Sequence, residues 1–220
     1  MPEQLPNGRG GRGLFITLEG PDGAGKSSQA GLLMERIRAL GRDVVLTREP
    51  GGTQMGERVR QVLMDVRGGG HDGLSDALLF NAARRRHTIE VIQPALARGS
   101  TVVCDRYTDS TLAYQGYGDG VRLDLLKVIT GAATDGLMPV RTVLVDLPVE
   151  VGLARKHGGA ADDLTRFELQ GEHDQAFHER VRAGYFELAR SEPNRWRVVN
   201  GAAERDVVAA EIWAAVSDLF

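Results

Sequence analysis

Eight consecutive residues, Gly20-Pro21-Asp22-Gly23-Ala24-Gly25-Lys26-Ser27, keep the spacing G-x-x-x-x-G-K-[ST]. Glycines at these positions let the backbone fold tightly, so that several N–H groups turn inward around phosphate oxygens. Lys26 adds a point charge and Ser27 a hydroxyl suited to Mg²⁺, the hard cation that accompanies polyphosphates. The candidate polyphosphate contacts are Gly20, Gly23, Ala24, Gly25, Lys26, Ser27 and Ser28. Asp22 is an unexpected carboxylate beside bound phosphate, and its repulsion must be offset by the cation or by a donor on a second substrate.

Further groups suited to phosphate and base chemistry lie downstream. Asp105 and Arg106 close the apolar run Thr101-Val102-Val103-Cys104. The acid, with Ser27, is a candidate metal contact, and the guanidinium can grip a phosphate bidentately. Phe80 and Arg84 are four residues apart and share one helix face, where a ring and a guanidinium can stack on a base and bond its edge. Arg85 and Arg86 turn away by about 100° per residue, toward solvent or a phosphate. Thr111 and Gln115 likewise share a face and offer donors and acceptors, with Tyr114 alongside. Arg60 is a candidate for either the base or the phosphate side. Arg48 and Glu49 are expected to pair and fix the Thr47-Arg48-Glu49-Pro50-Gly51-Gly52-Thr53 loop, with Pro50 and Gly51 setting its turn. His87, His157, His173 and His178 have no metal-ligand partners at useful spacing and are expected as surface or helix-face side chains.

These groups need a scaffold that gathers distant segments. Short apolar runs at 14–18, 43–47, 101–105, 142–146 and 196–199 alternate with helical stretches at 25–40, 56–66, 75–97, 123–133, 165–190 and 203–219. That alternation predicts an α/β three-layer fold with a central parallel five-stranded sheet flanked by helices. In open sheets of this kind, ligands bind beyond the carboxyl ends of the strands. The first three runs end at the glycine-rich loop, at Thr47–Thr53 and at Asp105-Arg106-Tyr107, so their chemistry is expected to converge.

Composition narrows the alternatives. With 220 residues, 42% of them hydrophobic, the chain can bury one sizeable core. Residues 1–12 are expected as a disordered tail, and 13–220 as a single domain. A formal charge of −3 disfavours a general nucleic-acid binder. One cysteine, Cys104, excludes an internal disulfide, and it is expected to be buried. No apolar run reaches the roughly 20 residues that span a bilayer, and the first residues lack the apolar core of a secretory signal. The expected location is cytoplasmic.

The chain resembles the thymidylate kinases, a family of P-loop nucleoside monophosphate kinases. The resemblance rests on F-I-T-L-E-G-P-D-G-A-G-K-S-S-Q (15–29), T-R-E-P-G-G-T (47–53), L-L-F-N-A-A-R-R-R-H (78–87), C-D-R-Y-T-D-S-T-L-A-Y-Q-G (104–116) and T-R-F-E (165–168). It implies Mg²⁺-dependent phosphorylation of thymidine 5′-monophosphate (dTMP) to the diphosphate by ATP. Lys26 and the loop amides are then expected on ATP, and Asp22 on the acceptor sugar 3′-hydroxyl near the metal. Arg106 is expected on the acceptor 5′-phosphate, Phe80 stacked on thymine and Arg84 on a base carbonyl. Tyr114 is expected under the sugar where a 2′-hydroxyl would sit, and Glu49, Arg60, Thr111 and Gln115 complete the acceptor set. Some family members place a charge-stabilising arginine in the glycine-rich loop. Here Gly23 and Ala24 occupy that region, which shifts the role to a lid at about 155–166. Arg155 is the first candidate there, and Arg166 the second. The family forms homodimers, so a homodimer is expected. A deoxynucleoside kinase fits less well, because Arg106, Arg84 and Asp22 suit an acceptor already carrying phosphate. A GTPase switch would need N-K-x-D, which is absent. A catalytically inert nucleotide binder is disfavoured by intact Lys26, Ser27 and Asp105.

Overall fold

The computed structural model describes residues 13–65, 72–157 and 175–220. The expected tail and most of the expected lid, Arg166 included, lie outside the described residues. Five strands, β1 (Phe15–Glu19), β2 (Val44–Arg48), β3 (Thr101–Asp105), β4 (Arg141–Asp146) and β5 (Trp196–Asn200), form one parallel sheet in the order β2-β3-β1-β4-β5. Among the described residues the α-helices are α1 (Lys26–Ala39), α2 (Gln54–Met64), α3 (Gly73–His87), α4 (Gln93–Ala97), α5 (Thr108–Thr111), α6 (Leu123–Thr134), α7 (Val149–His157), α8 (Gln175–Ser191) and α9 (Arg205–Val216). The five strands match the expected runs to within two residues at either end. α7 was not expected: its helix continues through the start of the presumed lid.

Period-two alternation explains the layering. Ile16, Leu18, Val103, Val143 and Val145 face one side, where they meet Leu33 and Ile37 of α1 and Val208, Ile212 and Val216 of α9. On the other side, Phe15, Val102 and Cys104 meet Ile92, Ala95 and Tyr107, while Leu144 and Trp196 meet Leu126, Val181, Tyr185 and Leu188. Cys104 is buried, as expected. Both faces are covered, which is why the central strands are apolar throughout. Among the described residues, no helix is long and apolar enough to cross a membrane.

Two helical stretches carry a π turn. The expected single helix at 75–97 is α3 and α4 joined by a π segment, Thr88–Ile92. Pro94 has no N–H to give the carbonyl of Glu90, and its ring crowds that carbonyl. The wider turn relieves both problems. A second π segment, Leu112–Gly118, follows α5 and carries Tyr114 and Gln115.

Candidate active site

α1 starts without the side-chain cap that most helices use. Its N-cap is Gly25, in a left-handed conformation at φ 80°, and its first turn carries no acidic residue. The first N–H groups of α1 therefore have no side-chain acceptor, and the positive end of the helix dipole faces the loop. By contrast, α2 is capped by Thr53 and α3 by Asp72. Gly23, at φ 75°, could not carry a side chain, because a Cβ would stand 2.3 Å from the Gly152 carbonyl oxygen. The loop borders a cavity of about 310 Å³ lined by Asp22, Gly23, Gly25, Lys26, Ser27, Ser28, Arg48, Glu49, Arg60, Asp105 and Arg106. Gly20 and Ala24 do not line it. Ala24 is packed in the core against β1 and α1, and the Gly20 carbonyl accepts a bond from Arg106.

Lys26 is buried and donates to the Pro21 carbonyl at 2.8 Å. Burial, and next Arg106, lowers its pKa to about 8 against the pull of Asp105, Asp22 and Glu19. The Ser27 hydroxyl donates to Oδ2 of Asp105, across the β1 and β3 ends. Oδ1 of Asp105 is buried and has no hydrogen-bond partner among the described residues. A hydroxyl and an unsatisfied carboxylate oxygen beside a phosphate cradle form a donor set that fits Mg²⁺. No cluster of three or more His, Cys, Asp or Glu side chains able to hold a metal occurs among the described residues.

A second cavity, of about 140 Å³, adjoins the first and shares Asp22, Glu49, Arg60 and Arg106 with it. Pro50, Met64 and Phe80 form its apolar wall, opposite Ser110, Thr111, Tyr114 and Gln115. At the junction, Arg106 sits at φ 69°, a conformation non-glycine residues rarely adopt. Its guanidinium bonds Asp22 Oδ1 at 2.6 Å and the Tyr114 hydroxyl at 3.2 Å. Tyr114 in turn donates to Asp22 Oδ2 at 2.9 Å, and burial raises its pKa, so it stays a neutral phenol. The Asp22 carboxylate is thus balanced from within the chain, a partner not anticipated from the sequence.

Arg84 reaches the same cavity but is only 2% exposed. Its Nε donates to Glu49 at 2.7 Å, and its terminal nitrogens donate to Asn81, the Tyr107 carbonyl and Thr111. Burial would raise the pKa of Glu49, yet Arg84 and His87 outweigh it and hold the value below the ordinary range. His87 bridges Glu49 at 2.9 Å and Thr47 at 2.7 Å; it stands on a helix, one of the two placements expected for it, but its side chain is fully buried rather than at the surface. The expected Arg48–Glu49 pair does not form. Side chains alternate along β2, so Arg48 turns outward to Glu57 while Glu49 turns inward. The Glu49–Pro50 peptide is cis, and Arg60 donates to the Pro50 carbonyl at 3.1 Å. Arg85 and Arg86 lie at the surface, paired with Asp135 and Glu90.

Arg155 lines neither cavity. Because α7 continues past it, its side chain projects from a helix and donates to the Gly201 carbonyl at 3.0 Å. Three polar groups near the junction escaped the sequence reading: Glu19, Ser110 and Tyr185. Ser110 lay inside the D-R-Y-T-D-S-T block, and Glu19 adjoined the loop, but Tyr185 carried no local signal.

A parallel sheet with a P-loop after its central strand, opening on two joined cavities, defines a P-loop nucleotide kinase. A thymidylate kinase family profile matches residues 18–212. Over 208 residues the chain is 49% identical to a thymidylate kinase of Deinococcus radiodurans, covering 94% of this chain and 98% of that one. It is 48% identical over 205 residues to a thymidylate kinase of Thermomicrobium roseum, covering 93% and 95%. A crystal structure of thymidylate kinase from Ehrlichia chaffeensis matches with a TM-score of 0.74 at 34% identity, covering 95% and 99%. The chain belongs to the thymidylate kinase family.

Proposed function

We propose that this protein transfers the γ-phosphate of ATP to dTMP, giving ADP and dTDP. The observation that carries the reading is the junction of the two cavities at Asp22 and Arg106. ATP takes the P-loop cavity, with Lys26 and the first amides of α1 on its phosphates. dTMP takes the cavity lined by Phe80, with its base against Phe80 and between Arg84, Thr111 and Gln115. Arg106 holds the acceptor phosphate, and Asp22 the sugar 3′-hydroxyl. Tyr114, anchored on Asp22, lies where a ribose 2′-hydroxyl would find no partner, which disfavours ribonucleotides.

The acceptor oxygen is already ionised at neutral pH, so no side chain has to remove a proton. A bond forms from that oxygen to the γ-phosphorus as the bond to the β–γ bridging oxygen breaks, and ADP leaves. The residues contribute by holding the two phosphates in line and offsetting their charge. Ser27 and Asp105 would hold Mg²⁺, which neutralises phosphate charge when bound. Arg155, engaged with Gly201, is left out of this machinery.

We also propose a homodimer. Val62 on α2, Leu78 on α3 and Val128 on α6 are each more than half exposed, and α2 and α6 both pack on α3. Such apolar surface on adjoining helices suits burial against a second copy. Light scattering should give twice the chain mass.

An acceptor panel with ATP and Mg²⁺ tests the reaction. dTMP should turn over fastest, dUMP more slowly, and CMP, AMP or thymidine hardly at all. Equal activity on CMP or UMP would overturn the assignment.

A further inference from the structure

Glu19, the last residue of β1, is fully buried and has no direct ion-pair partner among the described residues. Three donors converge on its carboxylate: the Tyr107 N–H on Oε1 at 2.7 Å, and on Oε2 the Ser110 hydroxyl at 2.6 Å and the Tyr185 hydroxyl at 3.1 Å. The same two hydroxyl oxygens accept from Nη1 of Arg106, at 3.1 and 3.3 Å.

The direction of those hydrogens decides the matter. Ser110 and Tyr185 each have one proton, and an arginine can only donate. Both hydroxyls offer lone pairs to Arg106 only if their own protons point elsewhere. The two hydroxyls also lie 2.9 Å apart, so one can donate to the other, but the pair as a whole still has to send a proton to Oε2 of Glu19, which both reach. We infer that Glu19 is a positioning residue for phosphoryl transfer, holding the Arg106 guanidinium in place through Ser110 and Tyr185. It touches no substrate itself. This assignment rests on the proposed role of Arg106 at the acceptor phosphate.

Charges around Glu19 come from every neighbouring element. Asp109 on α5 is locked by Arg195 at 2.6 and 3.0 Å, Lys26 stands on α1, and Asp22 pairs with Arg106. Tyr107 and Tyr185 have pKa values raised by burial and stay neutral. Burial first, then Asp109, pushes the Glu19 pKa up to about 7. Its charged form therefore dominates above pH 7 and is lost as pH falls below it. Because the folded value exceeds the unfolded one, the stability that the protonated form supplies is lost as pH rises through 7.

Glu19→Gln is nearly isosteric, but the Tyr107 N–H claims its oxygen, so the amide NH₂ faces the two hydroxyls. One proton can pass between the two hydroxyls, but the other must then turn toward Arg106, donor against donor. At pH 8, E19Q should lower kcat with dTMP about 10- to 100-fold, the range for losing a partner that orients a ligating group. KM for ATP should change less than twofold. The Tm of E19Q relative to wild type should rise from pH 5 to pH 8, while its relative kcat falls. A purely structural role would lower both together. The phosphate of dTMP titrates identically for the two enzymes and cancels from the ratio.

The double variant Ser110→Ala with Tyr185→Phe keeps Glu19 and should reproduce the loss. Adding E19Q to it should cost less than a further threefold. Folded E19Q with kcat within threefold of wild type, or losses that multiply, would overturn the assignment. Should E19Q fail to fold, an undiminished kcat in the double variant would overturn it instead. Wild type is assayed alongside: inactivity on dTMP there would remove the functional reading, and the role of Glu19 with it.

Discussion

The two joined cavities are built in opposite ways. The P-loop cavity draws most of its lining from residues 22–28, and its chief groups are backbone amides and one lysine. The Phe80 cavity gathers side chains from the ends of β1, β2 and β3, from α2 and α3, and from the π segment at Leu112–Gly118. Phosphate is a uniform target that a tight loop and a helix end can hold anywhere. A base and a sugar differ by single groups, so recognising them takes side chains set at fixed distances by the whole sheet. The two arginines in the acceptor cavity repeat this contrast. Arg84 is sealed in a buried carboxylate–histidine cluster, whereas Arg106, 19% exposed, rests on hydroxyls, one carbonyl and Asp22. The first is fixed in place; the second keeps partners that a phosphate can join or replace.

The largest effect should come from Lys26→Ala. It removes the lysine that lines the donor cavity and should lower kcat/KM about 10³-fold, with dTMP binding nearly unchanged in calorimetry. Comparable losses on both substrates would mean that the cavities are not separable.

Next in size, Arg84→Ala leaves Glu49 charged and buried. Breaking such a pair costs about 3 kcal/mol, or a Tm lower by about 10 °C. KM for dTMP should rise far more than KM for ATP. Glu49→Gln in the same chain should restore part of the Tm, since the stranded charge is then gone. A double variant no more stable than Arg84→Ala would show that packing, not charge, sets the loss.

The same contrast decides what was legible in the sequence. The strands were read from their apolar runs, and the P-loop from eight adjacent residues, because both are local patterns. Asp105 and Arg106 were legible from their position at a strand end. Partner choice was not. Whether Arg48 or Glu49 faces inward depends on the pleat of β2, one residue either way, and the wrong pair was expected. His87 looks like any helix-face histidine until the α3 face that carries it is laid against Thr47 and Glu49. Glu19 and Tyr185 are 166 residues apart, and only the sheet order brings α8 beneath β1.

A smaller effect separates stacking from polar recognition inside the acceptor cavity. Phe80→Ala removes one apolar wall and leaves the Arg106 network intact. KM for dTMP should rise about tenfold, near 1.4 kcal/mol, with kcat within threefold of wild type. A large fall in kcat would place Phe80 in the alignment of the phosphates rather than under the base.

The smallest effect is expected at Arg155, and it tests where the site ends. In the loop expected from the sequence, this arginine would be free to close over the transferring phosphate, and its loss would cost about 10²-fold or more in kcat. In the fold it belongs to α7 and has a partner, the Gly201 carbonyl, in the turn between β5 and α9. A single bond from a surface guanidinium to a carbonyl is worth about 1 kcal/mol in stability at most and carries nothing to the reacting atoms. Arg155→Ala should therefore keep kcat within threefold and lower Tm by no more than about 3 °C. Saturating both substrates in the assay separates this outcome from a weak binding defect. A 100-fold loss of kcat at unchanged Tm would mean that α7 gives up its last turns during turnover and that Arg155 leaves Gly201 for a phosphate oxygen. The donor cavity would then share the non-local construction of the acceptor cavity, and the contrast between them would hold only for the empty enzyme.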